Sequence, residues 1–175
     1  MAIDDDEAER IAAEEQPGPD ELQSALANDT LGEVIQQAPL TVNVGATLAE
    51  VIGRMQAEHR GYVAVLKDGK LAGIFTERDL LLRVAGRQLR FDQTAVDSYM
   101  TTDPITLPAG ASVAYALNLM VVEGFRHIPI LDDAGRLVAV ASMRNLIEYL
   151  SGFFGRDILT LPPDPRINYR NRDGA

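Results

Sequence analysis

Gly73-Ile74-Phe75-Thr76-Glu77-Arg78-Asp79 recurs about 65 residues later in the chain as Ala139-Val140-Ala141-Ser142-Met143-Arg144-Asn145. Each copy has a small residue, two apolar residues, a hydroxyl, a variable residue, Arg, and then Asp or Asn. The similarity continues upstream in two further pairs of segments: residues 62–66 with 127–131, and residues 40–42 with 105–107. Since two copies are too few for a solenoid, we expect them to pair about a pseudo-twofold axis, with a cleft between them.

Each copy is predicted to fold in the order strand, helix, strand, strand, helix. In the first copy, Thr47 and Glu50 have the spacing of a helix capping box, and apolar residues follow at helical intervals. Asp68-Gly69 is typical of a hairpin turn. Thr76, three residues before Asp79, has the spacing of a cap for the last helix. The predicted strands cover residues 40–44, 62–66 and 71–75, and the last helix is expected to end at Gly86.

The second copy has the same signals, with Ser112 and Ser142 as the helix caps and a turn at residues 133–135. Its predicted strands cover residues 105–107, 128–131 and 137–141. The fold class is therefore α+β, with two β-α-β-β-α repeats packed about a pseudo-twofold axis. The predicted division of the chain is an acidic N-terminal tail (1–29), repeat 1 (30–88), repeat 2 (96–151) and a C-terminal tail (152–175).

The negative charge of the chain is concentrated at its start. Residues 1–30 hold ten acidic residues and one arginine, a net charge of -9, whereas the whole chain carries -10. The repeats are therefore almost neutral, which argues against duplex nucleic acid as a partner, because its phosphates require a basic face. We interpret the acidic segment as a solvated lead-in, with a short helix, capped by Asp20, reaching Ala27.

Other features of the composition narrow the function classes. The absence of cysteine excludes thiolate catalysis and cysteine-based zinc sites. No apolar run approaches the roughly 20 residues of a membrane span, and the acidic start is unlike a secretory signal. We therefore expect a cytoplasmic protein without a membrane partner.

The β-α-β-β-α order, the Gly73–Asp79 segment and the Tyr99-Met100-Thr101-Thr102-Asp103-Pro104 segment together resemble tandem CBS domains, a family named from cystathionine β-synthase. The resemblance covers residues 30–151, about two thirds of the chain. It implies a stand-alone, Bateman-type regulatory module and no catalytic residues. It also implies an adenosine nucleotide of the AMP, ADP or ATP class as the regulatory ligand, bound between the repeats, and no further cofactor or metal.

The resemblance assigns the main ligand site to one cleft. The hydroxyl of Thr76 and the carboxylate of Asp79 correspond to the family's ribose contacts, and Arg78 adds a cation. A carboxylate suits a ribose because it can accept two hydrogen bonds from a vicinal diol. The family's base pocket and phosphate contacts come from the opposite repeat, at Thr102, Ile105, Arg126, His127, Ile128 and Pro129.

A weaker second cleft is expected at the symmetry-related position. There Asn145 stands where the first copy has Asp79, so the site offers one neutral oxygen acceptor and lacks charge assistance. The residues assigned to this cleft are Thr41, Tyr62, Ser142, Arg144 and Asn145.

Simpler interpretations remain open for these residues. Thr76 with Asp79 also forms an ordinary helix cap, and both Arg78 and His127 are compatible with plain surface positions. For the whole chain, the alternative to a nucleotide sensor is an interaction module whose clefts hold no ligand. An enzyme is the third hypothesis, and no nucleophile with a matching base, P-loop or GxGxxG motif supports it.

A homodimer is also expected. The apolar helix faces that begin at Leu48 and Leu80, with counterparts at Val113 and Leu146, exceed what one cleft would cover. In the family, such pairs stack through their helices into a disc. The effector protein that would receive the signal is not identified by the sequence.

Overall fold

The computed structural model describes residues 19–153. Residues 1–18 and 154–175, which include most of the predicted acidic tail and nearly all of the C-terminal tail, lie outside the described part. Within it the α-helical segments are α1 (Pro19–Asn28), α2 (Leu31–Val34), α3 (Leu48–Ala57), α4 (Glu77–Asp79), α5 (Val113–Glu123) and α6 (Met143–Gly152). A π-helical turn (Leu80–Val84) directly continues α4, and a 3-10 turn covers Val96–Ser98.

The strands form two separate small sheets. One sheet has four strands in the order β1 (Thr41–Asn43), β2 (Tyr62–Lys67), β3 (Lys70–Thr76) and β4 (Thr101–Thr102), and the other has three in the order β5 (Leu107–Pro108), β6 (His127–Leu131) and β7 (Leu137–Ser142). In each sheet the first pair is parallel and the second is antiparallel. Both antiparallel pairs shift register at an equivalent place, after Val65 and after Ile130. The predicted α+β duplication is therefore confirmed.

The predicted caps and turns explain why the elements form where they do. The hydroxyls of Thr47 and Ser112 accept hydrogen bonds from backbone N–H groups at the starts of α3 and α5. Asp68 and Gly69 have φ angles of 50° and 76°, as the two-residue hairpin requires. The predicted strand at residues 105–107 was placed too early, because β5 begins only at Leu107, and Ile105 precedes the strand.

The two repeats are joined by exchanged leading segments. Leu31 of α2 is fully buried in the core of repeat 2, and its backbone N–H donates to the Ala111 carbonyl at 2.9 Å. In the same way Val96 of the 3-10 turn is fully buried in the core of repeat 1, and its N–H donates to the Ala46 carbonyl at 2.9 Å. Each repeat thus completes its core with a piece that precedes the other, so the repeats pack as one body.

The N-terminal helix extends this contact to residues that the sequence assigned to the tail. Helix α1 packs on α5, with Leu26 against the core of repeat 2. Asp29 then accepts a hydrogen bond from the Tyr149 hydroxyl at 2.6 Å, and its carbonyl accepts from the Val113 N–H at 3.0 Å. The predicted short helix is present, and residues 19–29 are a packed element of the fold.

The last helix of repeat 1 departs from the prediction. A regular helix was expected from Thr76 to Gly86, but only one α-helical turn forms before the chain widens into the π-helical turn, where the Ala85 N–H donates to the Leu80 carbonyl at 2.8 Å. The equivalent helix α6 is α-helical over its whole length. Single π-helical turns often occur at functional sites, and this one borders the cleft described below.

The apolar faces that suggested a dimer are differently placed from the prediction. Of the four residues at which the predicted faces begin, Leu48, Val113 and Leu146 are fully buried inside the two cores. The fourth, Leu80, is partly buried against the core of repeat 1. The large apolar side chains that do remain exposed on the helices are Leu81, Leu82, Tyr115, Val121, Val122 and Ile147. None of the helices within residues 19–153 is both long enough and apolar enough to span a membrane.

Candidate functional site: two clefts between the repeats

The first cleft begins where β3 runs into α4. Thr76 is the N-cap residue of α4, and the carboxylate of Asp79 closes a capping box with it. The Asp79 Oδ2 accepts from the Thr76 N–H at 3.0 Å and from the Thr76 hydroxyl at 2.8 Å. This cap holds Asp79 in a buried position on the lining of the cleft, with 7% of the residue exposed.

The other carboxylate oxygen of Asp79 faces residues that the sequence did not single out. Its Oδ1 accepts from the Thr101 hydroxyl at 3.3 Å and pairs with the Arg83 Nε at 3.3 Å. Arg83 also donates to the carbonyls of Tyr99 and Met100, at 3.1 and 2.7 Å. Arg83 therefore ties the π-helical turn to the segment that leads into repeat 2. Because residues four apart on a helix are neighbours, the spacing of Asp79 and Arg83 could have predicted this ion pair from the sequence.

The cleft has a volume of about 370 Å³ and is lined by both repeats. Of the residues predicted for it, the structure brings together Thr76, Arg78, Asp79, Ile105, Arg126 and His127. The remaining lining residues are Gly61, Ile74, Glu77, Leu82, Arg83, Thr101, Asp103, Pro104, Gly124 and Phe125. This volume lies in the range of small-molecule sites.

Three predicted residues do not line this cleft. Thr102 pairs with Gly73 in the sheet, and its neighbour Thr101 is the one that reaches Asp79, because successive side chains of a strand point to opposite faces. Ile128 and Pro129 are buried inside β6, where they pair with β7. The side chains of Ile128 and Pro129 are therefore covered and do not open into the cleft.

Glycine at position 73 makes room for the strand that carries Thr101. A Cβ atom at Gly73 would lie 2.5 Å from the Met100 Sδ and 2.8 Å from the Thr101 carbonyl oxygen. The equivalent residue of repeat 2, Ala139, has a Cβ, and its sheet has no fourth strand within the described residues. Within the described part of the chain, the repeat with Gly therefore has the fourth strand and the repeat with Ala does not.

Two aromatic rings meet near the pseudo-twofold axis. Tyr62 and His127 occupy equivalent positions at the starts of β2 and β6, and their ring centroids are 5.0 Å apart. Burial, aided by the nearby charge of Arg126, lowers the pKa of His127 to about 4. Burial raises the pKa of Tyr62. Both rings are therefore neutral near pH 7, so His127 offers a ligand a ring and a neutral polar edge rather than a charge.

The second cleft is lined by both of these rings and has a volume of about 570 Å³. Tyr62, Ser142, Arg144 and Asn145 line it as predicted, whereas Thr41 does not. Thr41 sits at the start of β1 instead, and its carbonyl accepts from the Arg54 guanidinium at 2.7 Å. The sequence did not assign to this cleft the polar residues Gln37, Glu58, His59, Arg60, Glu77, Arg126 and Glu148.

The cap of the second cleft copies that of the first, but its surroundings differ. The Asn145 Oδ1 accepts from the Ser142 hydroxyl at 2.5 Å and from the Ser142 N–H at 3.3 Å. The position that corresponds to Arg83 holds Tyr149, whose hydroxyl donates to Asp29 rather than toward the cap. Arg144 pairs with Glu148 at 2.8 Å along its own helix. Asn145 therefore receives no cation comparable to Arg83 within the described residues.

A sequence model of the CBS domain matches residues 31–86 and again residues 96–152. The chain belongs to the CBS-domain family. An uncharacterized protein of Methanopyrus kandleri is 29% identical over 120 residues, which cover 68% of this chain and 61% of that protein. This chain thus spans less than two thirds of the relative's length.

Solved CBS structures have the same fold. A CBS-domain containing protein from Agrobacterium tumefaciens superposes with a TM-score of 0.63 at 27% identity, covering 69% of this chain and 98% of the other. A CBS domain protein from Pyrobaculum aerophilum, whose structure is a complex with AMP, superposes with a TM-score of 0.62 at 23% identity, covering 70% of this chain and 98% of the other. The comparisons therefore agree with a tandem CBS pair.

In this CBS pair the two clefts share a wall. Gly61, Glu77, Arg126 and His127 line both of them. The Gly61 carbonyl accepts from the Glu77 N–H at 3.1 Å, and in the other repeat the Arg126 carbonyl accepts from the Met143 N–H at 2.9 Å. Whatever enters one cleft therefore lies close to residues that also border the other.

Proposed function

We propose that this CBS pair is a regulatory module that binds an adenosine nucleotide in the first cleft and signals its presence to an effector protein. The proposal rests on one observation above the others. The buried carboxylate of Asp79 lines a cleft that is also lined by Arg78, Arg126 and apolar side chains. The AMP complex of the Pyrobaculum aerophilum relative supports the same ligand class.

The chemistry of the cleft suits the parts of such a ligand. The carboxylate of Asp79 accepts hydrogen bonds from the ribose hydroxyls, and a charged acceptor strengthens each of them. Ile105 and Phe125, both on the lining, provide apolar surface for the base. Arg126 offers its guanidinium to a phosphate.

Ligand binding would change contacts that already exist around Asp79. All of the roughly four acceptor positions of a carboxylate have a partner here, two from Thr76 and one each from Thr101 and Arg83. Ribose hydroxyls would compete with Thr101 and Arg83 for Oδ1. Because Arg83 also holds the carbonyls of Tyr99 and Met100, this competition would be felt in the segment that leads into repeat 2. This competition would allow ligand binding at Asp79 to change the conformation of the segment around Tyr99 and Met100.

Calorimetric titration of the chain with AMP tests the proposal. The native chain should bind, and Asp79→Ala should weaken binding by about tenfold or more, because charged hydrogen bonds contribute roughly 1.5–3 kcal/mol. The matched control is Asn145→Ala, which removes the equivalent cap residue of the other repeat and should change AMP binding little. Unchanged binding by Asp79→Ala, or its loss in Asn145→Ala alone, would contradict the choice of cleft.

A second copy of the chain is the partner that the exposed apolar helix residues favour. Val121 and Val122 of α5 are 74% and 68% exposed, and Leu81 and Leu82 beside the first cleft are 69% and 71% exposed. We therefore propose a homodimer, and light scattering should give twice the chain mass of 19.0 kDa. If the chain dimerises but binds no adenosine ligand, the alternative of a ligand-free interaction module is favoured. CBS pairs are generally regulatory, and no catalytic role is proposed.

A further inference from the structure

We infer that the first cleft selects an adenosine ligand of low negative charge, a nucleoside or a nucleoside monophosphate, against a triphosphate, and that Glu77 and Asp103 impose this selection. The inference rests on the proposed function, since it specifies the ligand class of the same cleft. It follows from the charges that line the cleft and from the partners that those charges already have.

The cations of the cleft are mostly engaged. Arg78 donates to the Gly124 carbonyl at 3.2 Å, across the cleft on the other repeat. Arg83 is held by Asp79 and by the carbonyls of Tyr99 and Met100. Among the described residues, Arg126 alone of the three lining arginines has no ion pair and no side-chain hydrogen bond. One free guanidinium can form a bidentate pair with one phosphate group, whereas a triphosphate needs more cations to balance its charge.

Two carboxylates of the cleft oppose further negative charge. Glu77 and Asp103 both line it, and neither forms an ion pair with a cation of the described part of the chain. Glu77 is folded against Gly61, so that one of its carboxylate oxygens lies 3.1 Å from where a Cβ of residue 61 would stand. With Asp79, these carboxylates cancel the formal charges of Arg78, Arg83 and Arg126. The cleft therefore has no net positive charge to attract a polyanion.

The other repeat shows that an acid at this place is not required by the fold. The residue equivalent to Glu77 is Met143, which follows its N-cap Ser142 just as Glu77 follows Thr76. Both residues donate the same backbone hydrogen bond, to Gly61 and Arg126 respectively. Since an uncharged side chain is accommodated there, the carboxylate of Glu77 can be removed without loss of the helix start.

The experiment compares affinities for adenosine, AMP and ATP in the native chain, Glu77→Gln and Asp103→Asn, by calorimetry at low salt, with EDTA and again with Mg²⁺. The native chain should bind AMP more tightly than ATP. Each variant should shift the ratio of ATP to AMP affinity toward ATP by roughly fivefold to tenfold, because removing one charge a few ångströms from the phosphates weakens their repulsion. Arg126→Gln should weaken AMP and leave adenosine almost unchanged.

The control is Glu58→Gln, which removes the same charge from a residue that lines only the second cleft. It should leave the ratio within about twofold of the native value, since exposed charges farther away are screened. Tighter binding of ATP than AMP by the native chain, with or without Mg²⁺, would overturn the inference and leave the proposed function standing. An unchanged ratio in both Glu77→Gln and Asp103→Asn would do the same. If the native chain binds none of the three ligands, the proposed function fails together with the inference.

Discussion

In the first cleft the Asp79 carboxylate accepts a hydrogen bond from Thr101 and pairs with Arg83, whereas in the second cleft the Asn145 amide has no equivalent of either contact among residues 19–153. Both residues close the same capping box at the start of a helix. The difference comes from the neighbours, because the fourth strand brings Thr101 to the first cleft and the π-helical turn carries Arg83. A repeated motif thus sets a common local geometry, and the chain that packs beside it decides what each site can bind.

The largest expected effect concerns His127, whose ring contacts that of Tyr62 and lines both clefts. The pKa of His127 lies at about 4 in the folded chain, against 6.5 for an ordinary histidine. Between these values the unfolded chain binds a proton that the folded chain does not. The free energy of unfolding is therefore highest above about pH 6.5. It falls by on the order of 3 kcal/mol as the pH falls toward 4.

Urea unfolding between pH 7 and 4 measures this loss. His127→Phe should remove it, so that the native chain loses more stability than the variant as the solution is acidified. His59→Gln is the control, because it removes the other histidine of the chain, which is exposed. Parallel pH profiles for the native chain and His127→Phe would show that the ring at position 127 is not held neutral by burial. The same value implies that His127 would gain charge to help a phosphate only near pH 4.

The next effect tests whether β4 is what makes the first cleft different. Gly73→Ala would place a methyl group 2.8 Å from the Thr101 carbonyl oxygen and 2.5 Å from the Met100 Sδ. Forcing β4 away should cost about 1–3 kcal/mol in the free energy of unfolding and should separate Thr101 from Asp79. Urea unfolding gives the first quantity, and AMP affinity, which should fall as well, reports the second.

Gly53→Ala is the matched control for this substitution. Gly53 lies in α3, and a Cβ there would have no neighbour within 4 Å. Because alanine favours a helix over glycine, this variant should be more stable by about 0.4–1 kcal/mol. If Gly73→Ala and Gly53→Ala changed the free energy of unfolding in the same direction, the close approach of β4 to Gly73 would not explain the effect at position 73.

The sequence predicted the common part of the two clefts and missed what distinguishes them. The caps at Thr76 and Ser142 follow from local spacing, so they and the flanking strands could be predicted. The π-helical turn could not, because Leu80 to Val84 has the pattern of an ordinary apolar helix. Thr101 was passed over for Thr102 because the register of a two-residue strand is set by its partner, Gly73, and not by its own sequence.

The prediction of a solvated N-terminal tail was wrong for residues 19–29, for a related reason. Its acidic composition favoured a solvated tail, yet Leu26 and Asp29 find partners on repeat 2 that no local pattern reveals. The same holds for the exchange of leading segments, which places Leu31 in the core of repeat 2. Contacts between residues that are distant in the chain were therefore the main source of error.

The smallest expected effect is also the most direct comparison of the clefts, since it exchanges the two cap residues. Asp79→Asn keeps an oxygen for the Thr76 cap but removes the charge, so AMP affinity at the first cleft should fall about tenfold, or about 1.4 kcal/mol. Asn145→Asp adds the charge to the second cleft. It should gain less than Asp79→Asn loses, because among the described residues the second cleft has no fourth strand to supply a hydroxyl like that of Thr101, and Tyr149 stands at the position of Arg83. Calorimetric stoichiometry and affinity for the native chain, each variant and the double exchange measure both changes.

If the exchange simply moved the tighter site from one cleft to the other, the residue at the cap would determine the site by itself. If the first cleft of the double variant still bound AMP better than the second, the packing around the cap would carry most of the difference, as the arrangement of β4 and Arg83 leads us to expect.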